Sequence, residues 1–355
     1  MKQSLKNYKR IVIKVGSSLL YPEKTKLDCS LLGDIVGQIA DLVKEGKEVI
    51  VVSSGAIALG MNILKLELRP KELSYLQAAA AVGQHELMNV YRKFFGEREV
   101  NCAQLLLTWE DFDDRRRYLN AKNTLLTLLK LKSVPIINEN DTVSTEEIKF
   151  GDNDRLSALV STLIGADLLI VLSDVDGLLD KDKTVIRLVE KITAQIKSLA
   201  SATNRKTSVG GMITKIEAAG IAVDSGIPCV IANGRKKDVI LSCANEPASA
   251  GTLFLPKKGF LTAKERWMAF SAKPKGRIIV DDGAKQALIN KKSLLSVGVV
   301  SVEGNFNSGD IVSVRDSQHY EIARGKVGVA SRELDKIKGT RFDKEIIHRD
   351  NIVIL

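Results

Sequence analysis

The sequence predicts an α/β protein: an open, mainly parallel sheet between two layers of helices (α/β/α), followed by a smaller, β-rich, barrel-like domain. Three observations predict it. Short apolar runs recur at Arg10–Val15 (RIVIKV), Val49–Val52, Val134–Asn138, Leu168–Leu172 and Cys229–Ala232, too short for helices and too apolar for half-exposed strands. Stretches of helical period lie between them, which is the pattern of strand, crossover helix, strand. From Gly276 onward the texture changes to short strands and tight turns.

Taken in order, Arg10–Val15 is a buried strand and Gly16-Ser17-Ser18 the turn after it. Leu31–Val43 places Ile35, Ile39, Leu42 and Val43 on one helical face and ends near Gly46. Val49–Val52 is the second strand, and Ser53-Ser54-Gly55-Ala56 opens the next helix. Tyr75–Phe95 and Arg115–Lys132 read as helices around a strand at Ala103–Leu107, and Pro135 constrains the start of the next strand. Asn153 or Asp154 is expected to cap a helix from Arg155, stopped by Gly165, and Leu168–Leu172 follows as a core strand ending in Ser173-Asp174. A hairpin or loop at Lys181–Thr184, a helix at Val189–Leu199, a polar run to Gly210-Gly211, a helix at Thr214–Asp224, the Cys229–Ala232 strand and Gly251–Phe254 complete the first domain. The expected divisions are 8–256 for that domain, 257–275 for a linker and 276–355 for the second domain, with strands at Arg277–Val280, Val297–Val302, Asp310–Val314 and Tyr320–Gly328 and one helix at Asp282–Asn290.

Hydrophobic content of 45% and charged content of 27% are those of an ordinary globular chain, and no apolar run approaches the ~20 residues of a membrane span. Cys29, Cys102, Cys229 and Cys243 are widely spaced and read as reduced thiols of a cytoplasmic protein. His85, His319 and His348 share no metal-ligand spacing. The net charge of +10 is spread out, +4 in residues 271–355 and +6 before them, without a basic run; it suits anionic ligands as well as RNA.

Chemistry is expected where polar residues end apolar elements. Lys14 closes a strand beside a glycine turn, placed either to hold a phosphate or as an edge lysine reaching solvent. Gly210-Gly211 precedes the helix that carries Lys215, where backbone N–H groups attract phosphate oxygens; a surface loop is the plainer alternative. There is no G-x-x-x-x-G-K-[ST] and no G-x-G-x-x-G after the first strand. Two lysines, two glycine turns and several Asp and Asn residues fit phosphoryl transfer without a covalent intermediate. His85, the run Glu110–Arg117 and the alanines at Ala78–Ala81 read as structural, the last suited to tight helix packing.

Five ordered motifs sharpen this: Ile13–Ser18 (IKVGSS), Ser53–Ala58 (SSGAIA), Ile137–Asp141 (INEND), Gly151–Asp154 (GDND) and Gly210–Lys215 (GGMITK). Together they resemble the amino-acid kinase family, in its γ-glutamyl kinase branch, and Gly276–Leu355 resembles the PUA module often joined to it. The resemblance implies ATP-dependent phosphorylation of the γ-carboxylate of L-glutamate, the opening step of proline biosynthesis, with Mg²⁺ carried by the ATP. It implies that Lys14 and Lys215 neutralise the transferring phosphoryl group while Asp154 holds both. Ser54, Asp141 and Asn153 would bind glutamate, Asp141 at the α-ammonium. Lys14, Ser173, Asp174 and the loop Val209, Gly210, Gly211, Met212, Ile213, Thr214 and Lys215 would hold the nucleotide. Gly16 and Gly55 would let backbone approach ligand oxygens. The family usually has Thr before the paired glycines and a small polar residue after Met, where Val209 and Ile213 stand here. The resemblance also implies a homo-oligomer (dimer or tetramer), a proline feedback inhibitor, a glutamyl-phosphate reductase that takes the product, and neither membrane nor nucleic-acid partner. Another phosphotransferase of the family, or RNA binding through the C-terminal module, remain the alternatives.

Overall fold

The computed structural model describes residues 8–21, 27–144, 152–202, 211–256 and 261–355. They divide into two units, 1–111 with 115–260, and 112–114 with 261–355.

The first unit is built on an eight-stranded sheet: β1 Arg10–Val15, β2 Glu48–Ser53, β3 Asn101–Leu107, β4 Ser133–Glu139, β5 Leu168–Ser173, β6 Leu188–Val189, β7 Cys229–Asn233 and β8 Gly251–Phe254. Their order is β3-β4-β2-β1-β5-β7-β8-β6, parallel throughout except that β8 pairs antiparallel with β7. β1 is interior, paired in register with β2 on one side and β5 on the other. Its connection leads to β2, whereas β4 and β5 are joined across the sheet by the Asp152–Ile164 helix, so the chain reverses direction beside β1. In an open α/β sheet the crevice outside the strands' C-terminal ends at such a reversal is where ligands bind.

Strand alternation decides which layer each side chain meets. Ile11, Ile13 and Val15 of β1 join one core with Ile35 and Ile39 of the Cys29–Lys44 helix and with Leu87, Tyr91 and Phe95 of the Leu73–Gly96 helix. Val12 and Lys14 therefore face the other layer, which contains the Asp152–Ile164 and Met212–Asp224 helices packed on each other. The Ala56–Ile63 and Leu73–Gly96 helices touch backbone to backbone. A Cβ on Gly60 would lie 1.7 Å from the Ala79 carbonyl oxygen, and one on Gly83 would lie 1.8 Å from that of Ala56. The small-residue stretch thus serves close helix packing.

Three local expectations are corrected. Gly16 starts a short helix, Ser17–Leu20, and not an open turn. Val189–Leu199 splits into the end of β6 and a helix at Ala194–Ala202. Asn153 and Asp154 lie inside the helix from Asp152 and do not cap it, because both side chains are taken by other elements.

The second unit holds a five-stranded sheet of β9 Gly276–Val280, β10 Val299–Gly304, β11 Ile311–Arg315, β12 Glu321–Lys326 and β13 Ile352–Ile354, in the order β10-β9-β11-β12-β13. Only β9 and β11 pair parallel. Its core gathers Ile278, Val280, Leu288, Phe306, Val312, Val314 and Ile347. Asp281 caps the Asp282–Ile289 helix, accepting from the Ala284 N–H at 2.7 Å. Part of the expected connection belongs to this unit: Thr262 and Glu265 form a capping box before Met268, Ala269 and Ala272, which pack on Ile311 and Val353. Among the described residues no helix is long and apolar enough to cross a membrane.

Candidate active site

The side chains expected at Lys14, Asp154 and Lys215 meet at the C-terminal edge of the sheet. Lys14 Nζ lies 2.6 Å from Asp154 Oδ1 and Lys215 Nζ lies 3.3 Å from Asp154 Oδ2. Thr214 Oγ1 donates to Asp154 Oδ2 at 2.7 Å, so the carboxylate is gripped on both oxygens. The alternative of an edge lysine reaching solvent fails, since β1 is interior and Lys14 is only 5% exposed. Three elements distant in sequence supply the three groups: the last inward position of β1, the first turn of the Asp152–Ile164 helix and the first turn of the Met212–Asp224 helix.

The electrostatics follow from burial. Asp154 is fully buried, which alone would raise its carboxyl; the Lys14 and Lys215 ammoniums and the hydrogen bonds from Lys14 and Thr214 outweigh that and hold it below the usual range. It is an anion at neutral pH. Burial pulls the Lys215 ammonium below its ordinary value, against the attraction of Asp154 and with the repulsion of Lys14. With both lysines protonated the trio carries one net positive charge, and burial strengthens its attraction for a further anion. The amide groups at the start of the Met212–Asp224 helix, whose N-cap is Gly211, add to that field.

Beside this charged layer lies a neutral one. Asn153 Nδ2 donates to Ser54 Oγ at 2.8 Å, to Asn138 Oδ1 at 2.9 Å and to the Ser53 carbonyl at 3.3 Å. Asn138 Nδ2 in turn donates to Gln84 Oε1 at 2.8 Å, and Ser53 Oγ pairs with the Tyr91 hydroxyl at 2.9 Å. The Asn153 carboxamide donors are thereby engaged, while Asn153 Oδ1 is buried without a partner among the described residues. A buried acceptor in that condition is a place for a ligand's N–H or O–H.

The remaining expected residues fall as follows. Asp141, buried just beyond β4, shares its surroundings with Arg69, whose guanidinium burial depresses and Asp141 favours. Ser173 Oγ donates to Asp174 Oδ1 at 3.1 Å at the end of β5, and Asp174 is near enough to favour the charged form of Lys215. The Gly211 carbonyl oxygen lies 2.9 Å from Thr214 Oγ1, within reach of the same single hydroxyl hydrogen that Asp154 accepts, and Met212 is buried, with Ile213 next to it on the first turn. Val209 and Gly210 lie outside the described residues. Gly55 has φ +109°, a conformation that favours glycine, and a Cβ on Gly16 would stand 3.4 Å from Lys14 Nζ.

Sequence reasoning missed Asn138, Gln84 and Tyr91, which orient Asn153 and Ser53, and the bond from Thr214 to Asp154. Asn138 stood in a quoted motif; Gln84 and Tyr91 gave no signal, as polar groups on an otherwise apolar helix face. Also unexpected is a cluster past β5 and β7, in which Asn233 Nδ2 donates to Asp176 Oδ1 at 2.9 Å and Lys236 Nζ lies 3.0 Å from it.

A parallel α/β sheet with two buried lysines on one carboxylate at its C-terminal edge makes a site that attracts an anionic group such as a phosphate. Comparison with known proteins makes this particular. Residues 9–233 match the amino acid kinase family and residues 276–348 match the PUA domain. The chain is 47% identical to the glutamate 5-kinase of Thermoanaerobacter sp. (strain X514), over 98% of each chain. It is 48% identical to that of Caldanaerobacter subterraneus subsp. tengcongensis, again over 98% of each, and 46% identical to that of Nitrosospira multiformis over the whole of both. The chain belongs to the amino acid kinase family, and it is a kinase with a C-terminal PUA domain.

Proposed function

We propose that this chain transfers the γ-phosphoryl group of ATP to the γ-carboxylate of L-glutamate, giving L-glutamyl 5-phosphate and ADP, the first step of proline biosynthesis. The observation that carries the reading is the single buried carboxylate of Asp154 between the Lys14 and Lys215 ammoniums. A carboxylate oxygen of the acceptor attacks the γ-phosphorus; the new P–O bond forms as the bond to the β,γ-bridging oxygen breaks, and no proton need move. The chemical demand is therefore placement and charge, and a pair of fixed ammoniums on either side of the path supplies it.

The residues fit a nucleotide triphosphate. Lys14, Lys215 and the amides from Gly211 would face its phosphates, and Ser173 and Asp174 would border the nucleoside side. Mg²⁺ would arrive on those phosphates and neutralise part of their charge. Asn153, whose buried Oδ1 lacks a partner among the described residues, would accept from the glutamate, with Ser54 beside it and Asp141 at the α-ammonium. The glutamate 5-kinases named above support this acceptor over another amino acid and over RNA binding through the second unit. The same reading takes the enzyme to be a cytoplasmic dimer or tetramer, inhibited by proline at the glutamate site, whose acyl phosphate passes to glutamyl-phosphate reductase.

The test is an ATP-dependent assay with hydroxylamine trapping of acyl phosphate across L-glutamate, L-aspartate, N-acetyl-L-glutamate and carbamate. L-glutamate should give the highest kcat/KM. A better rate with any other acceptor would overturn the assignment.

A further inference from the structure

Tyr21 is 5% exposed, and its phenol oxygen has no hydrogen-bond partner among the described residues. A phenylalanine would avoid the cost of that unpaired hydroxyl, so a tyrosine at this place needs a reason. The ring is pressed against the turn between β2 and the Ala56–Ile63 helix: a Cβ on Gly55 would meet Tyr21 Cε2 at 2.7 Å and Cδ2 at 3.4 Å. Cε2 is bonded to the carbon that bears the hydroxyl, which puts the phenol oxygen beside that turn. The same turn presents Ser54, whose Oγ accepts from Asn153 at 2.8 Å, and Ser53, whose Oγ is engaged by Tyr91 at 2.9 Å. Ser53 and Tyr91 thus satisfy each other, and Tyr21 is left over. Burial pushes the Tyr21 phenol up, so at neutral pH it is a donor.

We infer that Tyr21 is a further acceptor-binding residue, whose hydroxyl donates to a carboxylate oxygen of the bound amino acid and so gains a partner that it lacks among the described residues. This rests on the reading of Ser54 and Asn153 as the acceptor pocket. It separates the two tyrosines by commitment: the Tyr91 hydroxyl is engaged by Ser53, and that of Tyr21 is uncommitted among the described residues.

Tyr21→Phe in the full chain tests it, since the ring and its contact with Gly55 are kept. Losing one hydrogen bond to a charged group should raise the KM for L-glutamate about tenfold, with kcat and the KM for ATP within about twofold. The rise in Tm that saturating L-glutamate gives the wild-type chain should shrink, while the unliganded Tm stays level or rises. An unchanged glutamate KM, or an equal rise in both KM values, would overturn the inference. So would a fall in the unliganded Tm, which would show that the hydroxyl is already paired. If the wild-type chain itself forms no glutamate-dependent hydroxamate, the kinase reading fails first; wild-type turnover with an indifferent Tyr21→Phe variant defeats this inference alone.

Discussion

Asp154→Asn removes the one negative charge in the trio without changing its shape. The two ammoniums contact opposite oxygens of Asp154, at 2.6 and 3.3 Å, and so lie on the order of 6 Å apart. With the carboxylate present they are bridged; with an amide in its place they repel. At an effective dielectric of about 20 that repulsion is roughly 3 kcal/mol, in the range of about 3–5 kcal/mol for removing one partner of a buried ion pair. Release of a lysine proton caps the loss, so a fall of about 3 kcal/mol in unfolding free energy is expected at about pH 7, measured by urea denaturation. Turnover should fall at least about 100-fold, because the two lysines lose their common anchor. The pH dependence carries a sign. The folded Asp154 carboxyl lies below its ordinary value of 3.8, so its contribution is complete above that value and is lost as pH falls through the lower folded one. The gap between wild type and variant should be full near neutrality and close in acid. A variant within about 0.5 kcal/mol of wild type at neutrality, or a gap that widens below about pH 4, would refute the bridging role.

Lys215→Ala should keep the fold, leaving Lys14 on Asp154, while kcat drops about 10²–10³-fold in the hydroxamate assay; near-normal kcat would refute its role in charge neutralisation. Asp141→Asn should raise the KM for glutamate well above any change in that for ATP, and equal changes would count against contact with the α-ammonium. Gly60→Ala forces a methyl group to 1.7 Å from the Ala79 carbonyl oxygen, and thermal denaturation should show at least about 2 kcal/mol of lost stability; a neutral result would mean the two helices can part freely.

The central strands of the first unit, β1, β2, β5 and β7, were legible because they are buried on both faces and so nearly free of polar residues. β1 coincides with Arg10–Val15, and β5 extends Leu168–Leu172 by one residue. Lys14 was legible as the one charge in the interior of such a run, Arg10 standing at its start. Helix starts were less so. Asn and Asp ahead of an apolar repeat ordinarily mean a cap, and at Asn153 and Asp154 that rule lost to tertiary demand: two lysines and a serine turn claim the side chains, and the helix begins at Asp152 and not at Arg155. The Val239–Asn245 and Ser331–Ile337 helices and β13 escaped notice because each is seven residues or fewer, too short to establish a period. Gln84 and Tyr91 were invisible for a different reason, since their roles depend on the approach of the Leu73–Gly96 helix to β2 and β4, and no local pattern encodes that approach.

Consecutive positions on a helix point about 100° apart, and the start of the Asp152–Ile164 helix uses that angle to serve two neighbours at once. Asp154 turns toward β1 and the Met212–Asp224 helix, where it collects the cations; Asn153 turns toward β2 and β4, where it collects amides and hydroxyls. The phosphoryl-donor side and the acceptor side of the proposed reaction are thereby fixed to one rigid segment, one residue apart. That segment fixes the spacing between the Asp154 and Asn153 side chains, the positional control that an in-line transfer between two bound molecules requires. The same coupling explains why the charged trio is so thoroughly tied down: a helix anchored at Asp154 by three bonds cannot rotate, and the direction of Asn153 is then set without a cap of its own.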